Sequence, residues 1–395
     1  WNEKIWKGIM KIIQGSHVPI KTWCEHPEED ALNQARDVAA LPFVFKHVCL
    51  MPDTHSGYGM PIGGVAACVD TVIPNAVGVD IGCGMSAVRT SLKGIETDQL
   101  KKILSNIRER VPLGFEHHKK TQTWAGFSRA PKIQVVEREL DSARRQIGSL
   151  GGGNHFIEIQ KGSDGFVWVM VHSGSRNFGY KIAKEYNQKA QKINARRFPH
   201  LPQYQGEGGL AFLPHDCKEF DEYIQAMGFA LEFAFRNREL MIEYIYESFL
   251  DVVSCEFGQM INIHHNYAAL EEHFGQKVWV HRKGATAAYK DQTGIIPGSQ
   301  GTASYIVKGK GNPESFCSCS HGAGRLMSRH QARKVLDLVA EQEKLEQQGI
   351  LHAIRSRSDL DEASSAYKNI EIVMEEQRDL VDPIIELRPL AVVKG

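Results

Sequence analysis

The chain has 395 residues, 42% of them hydrophobic and 24% charged, the proportions of a globular protein with a substantial core, which excludes intrinsic disorder. Lysine plus arginine equals aspartate plus glutamate at 47 each, so no general basic coat for nucleic acid exists and any polyanion must be held by a local patch. No run of about 18 apolar residues occurs, which excludes a membrane-spanning helix, and eight scattered cysteines suit metal binding in a reducing, cytoplasmic setting better than a disulfide framework.

The opening Trp1-Asn-Glu-Lys-Ile-Trp-Lys-Gly8 is interrupted by charges, unlike a secretory signal, and its lack of an initiator methionine is consistent with further residues upstream. From Lys46 to Thr90 the chain is rich in Val, Ile, Ala and Gly with Pro52, Pro61 and Pro74 between apolar runs, which predicts strands joined by tight loops. Residues 96 to 110 and 130 to 147 are predicted helical, with Leu100, Ile103, Leu104 and Ile107 on one face of the first. Phe156-Ile-Glu-Ile159 and Phe166-Val-Trp-Val-Met-Val171 read as strands around the turn residues Lys161-Gly-Ser-Asp-Gly165. With Ser163-Asp164 as the loop, position 155 falls opposite position 172, so His155 and His172 would form a metal clip.

Residues 218 to 253 predict one or two long helices, because Phe229, Phe233, Leu240 and Tyr244 recur at near-helical spacing as a core stripe. Strands are expected again at Val278-Trp-Val-His281 and Ser304-Tyr-Ile-Val-Lys308, separated by the loop Gly294-Ile-Ile-Pro-Gly-Ser-Gln-Gly301. Helical stretches over 329 to 349 and 365 to 380 lead to the closing Val392-Val-Lys-Gly395. Cys317 and Cys319 would face opposite sides of a strand, a pair that reads as packing rather than a second metal site.

Chemistry concentrates in short glycine-flanked islands: Val77-Gly-Val-Asp-Ile-Gly-Cys-Gly84, Gly151-Gly-Gly-Asn-His155, Val171-His-Ser-Gly-Ser-Arg176, Asn262-Ile-His-His-Asn266 and Ser320-His-Gly-Ala-Gly-Arg325. Length alone favours two or three domains. If the islands meet at one site, cutting the chain would separate them, so one interleaved unit over residues 1–395 is expected. A lone buried histidine is usually a satisfied core group. Together, however, Asp80, Cys83, His155, His172 and His265 form a ligand set that can hold two divalent ions with the thiolate bridging, zinc by ligand softness and manganese second.

His321 differs in kind, since small neighbours leave its imidazole accessible and the Gly322, Ala323 and Gly324 amides can meet anionic oxygens. It reads as a nucleophile toward phosphorus, as a sixth metal ligand, or as part of a structural turn. No Gly-x-x-x-x-Gly-Lys-Ser/Thr loop occurs, which argues against a P-loop NTPase. Pro297-Gly-Ser-Gln300 offers another place for amides to hold a nucleotide, although by pattern alone an ordinary turn is the better reading.

The strings Met51-Pro-Asp-Thr-His-Ser-Gly-Tyr-Gly59, Gly78-Val-Asp-Ile-Gly-Cys-Gly-Met85, Gly153-Asn-His-Phe-Ile-Glu158, His172-Ser-Gly-Ser-Arg176, His264-His-Asn266, Ile296-Pro-Gly-Ser299, Ser320-His-Gly-Ala-Gly-Arg325 and Val393-Lys-Gly395 resemble the RtcB family of RNA-splicing ligases, in family order from about Lys46 to the C-terminus. The resemblance implies an α+β fold with mixed and antiparallel sheets flanked by helices. It also implies a ligase that uses GTP and two manganese ions to join RNA 3′-phosphate or 2′,3′-cyclic phosphate ends to 5′-hydroxyl ends, in tRNA splicing or RNA repair, with or without an archease-type activator. By the same resemblance Asp80, Cys83 and His155 hold one ion, Cys83, His172 and His265 the other, and His321 carries the guanylate.

Nucleotide contacts carry over onto Asn154, His155, Phe156, Ile157, Glu158, His265, Asn266, Pro297, Gly298, Ser299, Gln300, Ser304, His321, Gly322, Ala323, Gly324 and Lys394. Gln300 departs from the methionine often found there in the family. Asp53 and His55 are cleft candidates. Arg176 can grip a terminal RNA phosphate bidentately or serve as a surface salt bridge. The pairs Lys119 and Lys120, Arg144 and Arg145, and Arg196 and Arg197 suit backbone phosphates or solvated helix faces, so RNA affinity is expected to come from one face and to fall steeply with salt. The rivals are a two-metal cyclic phosphodiesterase or phosphatase without a covalent nucleotide, and a metal-stabilised binding module without turnover.

Overall fold

In a computed structural model the described residues are 10–201, 206 and 208–395; the opening Trp1–Gly8 lies outside them. Alternating apolar residues build two large sheets. A six-stranded mixed sheet runs Lys11–Ile13, Ile20–Thr22, Val44–His55, Ile62–Cys68, Gln276–Lys283 and Asn266–His273, with one parallel pairing, between its second and third strands. A seven-stranded antiparallel sheet runs Ile261–His264, Gly84–Arg89, Val167–Ser173, Phe156–Gly162, Val381–Lys394, Ser304–Gly309 and Thr293–Ile296. The α+β expectation therefore holds, with helices against the sheets.

The long amphipathic pattern resolves as a single helix, Lys218–Leu250 of 33 residues. Its Phe229 and Phe233 pack with Phe178 and Trp124 in one core, and its Met241, Ile245 and Phe249 cover one face of the seven-stranded sheet through Ile157, Val169 and Val171. Helix Thr97–Arg110 lays the predicted Leu100, Ile103, Leu104 and Ile107 on that same face. Helix Gln134–Gln146 is shorter than expected, and helix Arg176–Arg197, which directly follows the His172 strand, was not foreseen from the sequence. The predicted 329 to 349 helix is two pieces, Arg329–Val335 and Leu338–Glu346, and 365 to 380 contains only Ile370–Glu376.

The C-terminal expectation falls short in a more instructive way. Val381–Lys394 is a 14-residue strand in the middle of the larger sheet, although Pro383 and Pro389 would mark a breaker. Both prolines sit beside register shifts, at Ile306/Val307 against one neighbour and Pro389/Ala391 against the other, where a missing N–H costs little.

The hairpin register also differs from the sequence reading. Phe156, not His155, lies opposite His172, and Gly162 N donates to Phe166 O at 2.8 Å, so the loop is Ser163, Asp164 and Gly165. A three-residue loop with its glycine at φ 85° replaces the assumed two-residue turn. Cys319 is buried on the strand Ser318–Ser320 while Cys317 precedes it at φ 49°, and no candidate metal group among the described residues includes either, in keeping with the packing reading.

One row of cross-strand partners explains where the site forms. Ile263, Met85, His172, Phe156 and Lys394 stand side by side on five consecutive strands. Cys83, His155 and His265 lie just beyond the ends of those strands, so tolerance of the pleat is not asked of them. Phe233→Ala removes a ring that lies 5.3 Å from that of Phe178 and 6.2 Å from that of Trp124 and should cost about 3–5 kcal/mol, read as a lowered urea midpoint with unchanged slope.

Candidate active site

Between the ends of the two sheets lies a cleft of about 420 Å³, within the roughly 300–1,000 Å³ usual for small-ligand sites. Asp80, Cys83, His172, His265 and His321 open onto it. Cys83 Sγ is 3.4 Å from His155 Nε2 and 3.3 Å from His172 Nε2, His172 Nε2 is 3.4 Å from His265 Nε2, and His155 Nε2 is 3.1 Å from Asp80 Oδ2. Two groups result, Asp80–Cys83–His155 and Cys83–His172–His265, sharing the sulfur. Metal–ligand bonds of about 2.0–2.3 Å place tetrahedral ligand atoms roughly 3.3–3.7 Å apart, close to these separations.

The imidazoles are oriented from behind. His155 Nδ1 meets Leu150 O at 3.0 Å and His172 Nδ1 meets Asn154 O at 3.0 Å, so a backbone carbonyl orients each ring and turns its Nε2 inward. Burial, then neighbouring histidines, holds His172 and His265 well below the usual imidazole range, so both are neutral. Burial and then Asp80 push the Cys83 thiol up. Burial would raise Asp80 too, but the His155 contact and Arg176 outweigh it and keep the carboxyl ionised. Three imidazole nitrogens, a thiol and a carboxylate oxygen converge with neighbouring donor atoms 3.1–3.4 Å apart, an arrangement that a cation would complete and that suits a metal centre.

His321, in the turn that follows the short strand Ser318–Ser320, stands against this group with its ring centroid 4.8 Å from that of His265. Asp53, fully buried on the strand Val44–His55, accepts from His321 Nδ1 at 2.7 Å, His321 N at 3.0 Å and Gly322 N at 3.2 Å through a single oxygen. The Nδ1 proton is thereby fixed and Nε2 keeps its lone pair. Gly324 has φ 73°, and a Cβ there would stand 2.2 Å from Asp53 O, so glycine is required for the turn to close over that strand. The expected amide cradle is correspondingly reduced, because Gly322 N is already taken by Asp53.

Of the other sequence candidates, Asn154, Phe156, Glu158, Asn266, Pro297, Gly298, Ser299, Gln300, Ala323, Gly324, Lys394 and His55 line the cleft. Ile157 does not; its side chain is in the core on the opposite face of its strand. Ser304 is buried behind the loop, its hydroxyl accepting from Gly298 N at 3.1 Å, and Ser299 N is held by Thr302 Oγ1 at 2.7 Å, so these amides support the loop itself. Gln300 Nε2 donates to Glu362 O at 2.9 Å. Burial pushes His55 down to about 4.

Arg176 is half-buried at φ 60°; Nη2 donates to Gly114 O at 3.3 Å, and Nη1 lies 3.3 Å from His155 Nδ1. Gly151 and Gly153 have φ 94° and 71°, the left-handed region that favours glycine, and a Cβ at Gly151 would also displace that guanidinium. Burial lowers the pKa of the Arg176 guanidinium, and Asp80 is the chief charged influence opposing it. Lys119, Lys120 and Arg145 are exposed on adjoining segments tied by His118 N to Arg145 O at 3.0 Å, whereas Arg197 is paired with Asp216.

Sequence reading missed Glu362. Burial would raise its carboxyl, but Lys394, Arg325 and Arg329 hold it at about 2, making it the anchor of the cationic wall beside Lys394. Nothing near Glu362 in the sequence marks it, because its partners are 32 or more residues away except Tyr367.

Comparison with known proteins decides the family. The profile described as "RtcB: tRNA-splicing ligase RtcB" matches residues 34–130 and 125–395. The chain belongs to the RtcB family. It is 37% identical to the RNA-splicing ligase RtcB of Escherichia coli strain K12 across 98% of this chain and 99% of that protein. The tRNA-splicing ligase RtcB of Thermococcus kodakarensis is 32% identical across 93% and 92%, and the RNA-splicing ligase RtcB of Mycobacterium bovis 32% identical across 92% and 100%. The motif strings that resembled RtcB thus lie in a chain related to the family along nearly its whole length.

Glu158 supplies a pH signature. Burial, opposed by Gln160 and Lys394, raises its carboxyl from 4.5 to about 8. Between those values the folded state binds more protons than the unfolded, so stability falls as pH rises through the window. Glu158→Gln should flatten that slope, checked by urea midpoints at the two ends of the window.

Proposed function

We propose that this protein is an RNA ligase that seals RNA 3′-phosphate or 2′,3′-cyclic phosphate ends to 5′-hydroxyl ends, using GTP, with residues 1–395 acting as one catalytic unit. The observation that carries the reading is the buried Asp53 bonded to His321 Nδ1, beside two candidate metal groups. A hydrolase can also use a histidine oriented by an aspartate, so a covalent guanylate on His321 is what separates the two readings. Asp80, Cys83 and His155 would hold one ion and Cys83, His172 and His265 a second, manganese by the resemblance to the family, although the thiolate and imidazoles would also accept zinc. Bound there, such ions neutralise phosphoryl charge and orient the attacking oxygen.

The protein's own groups perform the transfers. Asp53 keeps the Nδ1 proton, and His321 Nε2 uses its lone pair to form a bond to the α-phosphorus of GTP while the bond to the β-phosphate oxygen breaks and pyrophosphate leaves. Asp53 stabilises the positive ring of that adduct as it would an imidazolium. Any cyclic end is first opened by water to a 3′-phosphate. An oxygen of that 3′-phosphate then attacks the guanylyl phosphorus, the P–N bond breaks, and Nε2 regains its lone pair. Finally the 5′-hydroxyl attacks the RNA phosphorus, its proton passes to solvent, and GMP departs.

Lys394 and the arginines around Glu362 form a cationic wall for phosphates, and the Glu158 side chain lines the same cleft as a candidate polar contact for the base. Arg176 is the candidate grip for the RNA end, and Lys119, Lys120, Arg144 and Arg145 for its backbone. Eight free cysteines among the described residues support a reducing, cytoplasmic setting. The substrate pool is tRNA halves or cleaved RNA, with an archease-type activator as a candidate partner.

Labelled GTP with manganese, followed by denaturation, tests the reading. An acid-labile label is expected on the parent and absent from His321→Ala; a parent that takes no label yet cleaves cyclic phosphate is a hydrolase instead. Cys83→Ala should abolish labelling, with the far-ultraviolet spectrum unchanged. Asp53→Asn, which offers Nδ1 the wrong partner, should slow label formation by roughly 10²-fold or more at unchanged secondary structure.

A further inference from the structure

The buried face of helix Lys218–Leu250 is mostly apolar, but it carries the fully buried Ser248 and, adjacent to one another, the fully buried Asn237 and Arg238. A buried guanidinium is costly unless its donors are all matched. No carboxylate of the described residues pairs with Arg238; its partners are of another kind. Nε donates to Asn262 Oδ1 at 2.7 Å, Nη1 donates to Gly82 O and to Ser173 O, both at 2.9 Å, and Nη2 lies 3.2 Å from His264 Nδ1. Gly82 precedes Cys83, Ser173 follows His172, and His264 precedes His265. One side chain therefore touches the neighbour of every ligand in the Cys83–His172–His265 group.

Asn237 does the same for the other group. Its Oδ1 accepts from Gly148 N at 2.7 Å and Ser149 N at 3.2 Å, and its Nδ2 lies 3.1 Å from both Ser173 Oγ and Gly174 O. Ser173 Oγ in turn donates at 2.7 Å to Leu150 O, the carbonyl that orients His155. Gly174 leads into Ser175, whose N donates to Asp80 Oδ1 at 3.2 Å. The ligands come from four separate segments, and this dyad is a common point of attachment for all of them.

We propose that Asn237 and Arg238 are positioning residues of the metal centre, one helical dipeptide that sets the spacing of both ligand groups through the backbone beside each ligand. The inference rests on the two-ion reading of the site and not on GTP or RNA chemistry. A planar fork is needed because the acceptors diverge; a lysine ammonium in that place retains the charge but cannot span them.

Titrating the full-length, metal-free protein with Mn2+ by calorimetry, and with Co2+ while following thiolate-to-cobalt absorption, tests it without nucleotide. Loss of partners that orient metal ligands typically weakens affinity about 10–100-fold, and Arg238→Lys and Asn237→Ala are each expected to do so. Asn262→Ala, which removes one acceptor, should weaken it by a smaller factor. Ile245→Val, on the same helix but in the sheet-facing core, should lower stability slightly and leave affinity unchanged.

Folded Arg238→Lys and Asn237→Ala proteins with parental Mn2+ affinity would overturn the proposal, as would an affinity loss in Ile245→Val that tracks its stability. Should Arg238→Lys fail to fold, Asn262→Ala decides, unchanged affinity there again counting against it. A parent protein that binds neither ion defeats the two-ion reading itself and this inference with it, whereas binding by the parent with no difference in the variants defeats the positioning role alone.

Discussion

Unshared lone pairs turned toward one another inside the protein are the constraint on which the site is built. His172, held neutral by burial, donates backwards to the Asn154 carbonyl, so its Nε2 cannot donate forwards to the sulfur of Cys83 or to His265. Such a cluster is stable only if the surrounding structure enforces it or a cation relieves it. Enforcement is visible here in carbonyls, in the helix behind the site, and in the shortness of the segments that carry the ligands.

The two sheets divide the work. The antiparallel sheet ends in a row that includes His172, Phe156 and Lys394, placing an imidazole, an aromatic face and an ammonium at one level. The mixed sheet brings Asp53 up to His321 from the opposite side. His265 lies between Ile261–His264 of one sheet and Asn266–His273 of the other, and its N donates to Cys83 O at 2.8 Å. A single residue thus couples the geometry of the two sheets to the metal ligands.

Much of this was legible in the chain. Ligand-type residues flanked by glycine could be picked out because a loop that approaches a ligand closely needs both the side chain and the missing Cβ, as Gly151 beside Arg176 illustrates. The helix over 97–110 was legible from its repeat of Leu and Ile, whose burial follows from the 3.6-residue period. The register of the hairpin was not, because His155 lies outside the strand and a two-residue turn differs from a three-residue one by a single glycine conformation. The C-terminal strand was obscured by prolines whose tolerance depends on bulges in partner strands far away in sequence.

What the sequence determined unaided was the inventory: which donor atoms exist, which turns can admit them, and by resemblance which family they belong to. Tertiary structure alone decided that Asp53 rather than solvent holds the Nδ1 proton of His321, that Glu362 gathers Lys394, Arg325 and Arg329, and that Asn237 and Arg238 lie behind the ligands. The physical reason is that hydrogen-bond partnership and desolvation are properties of residues brought together from tens to hundreds of positions apart, and local spacing carries no information about them.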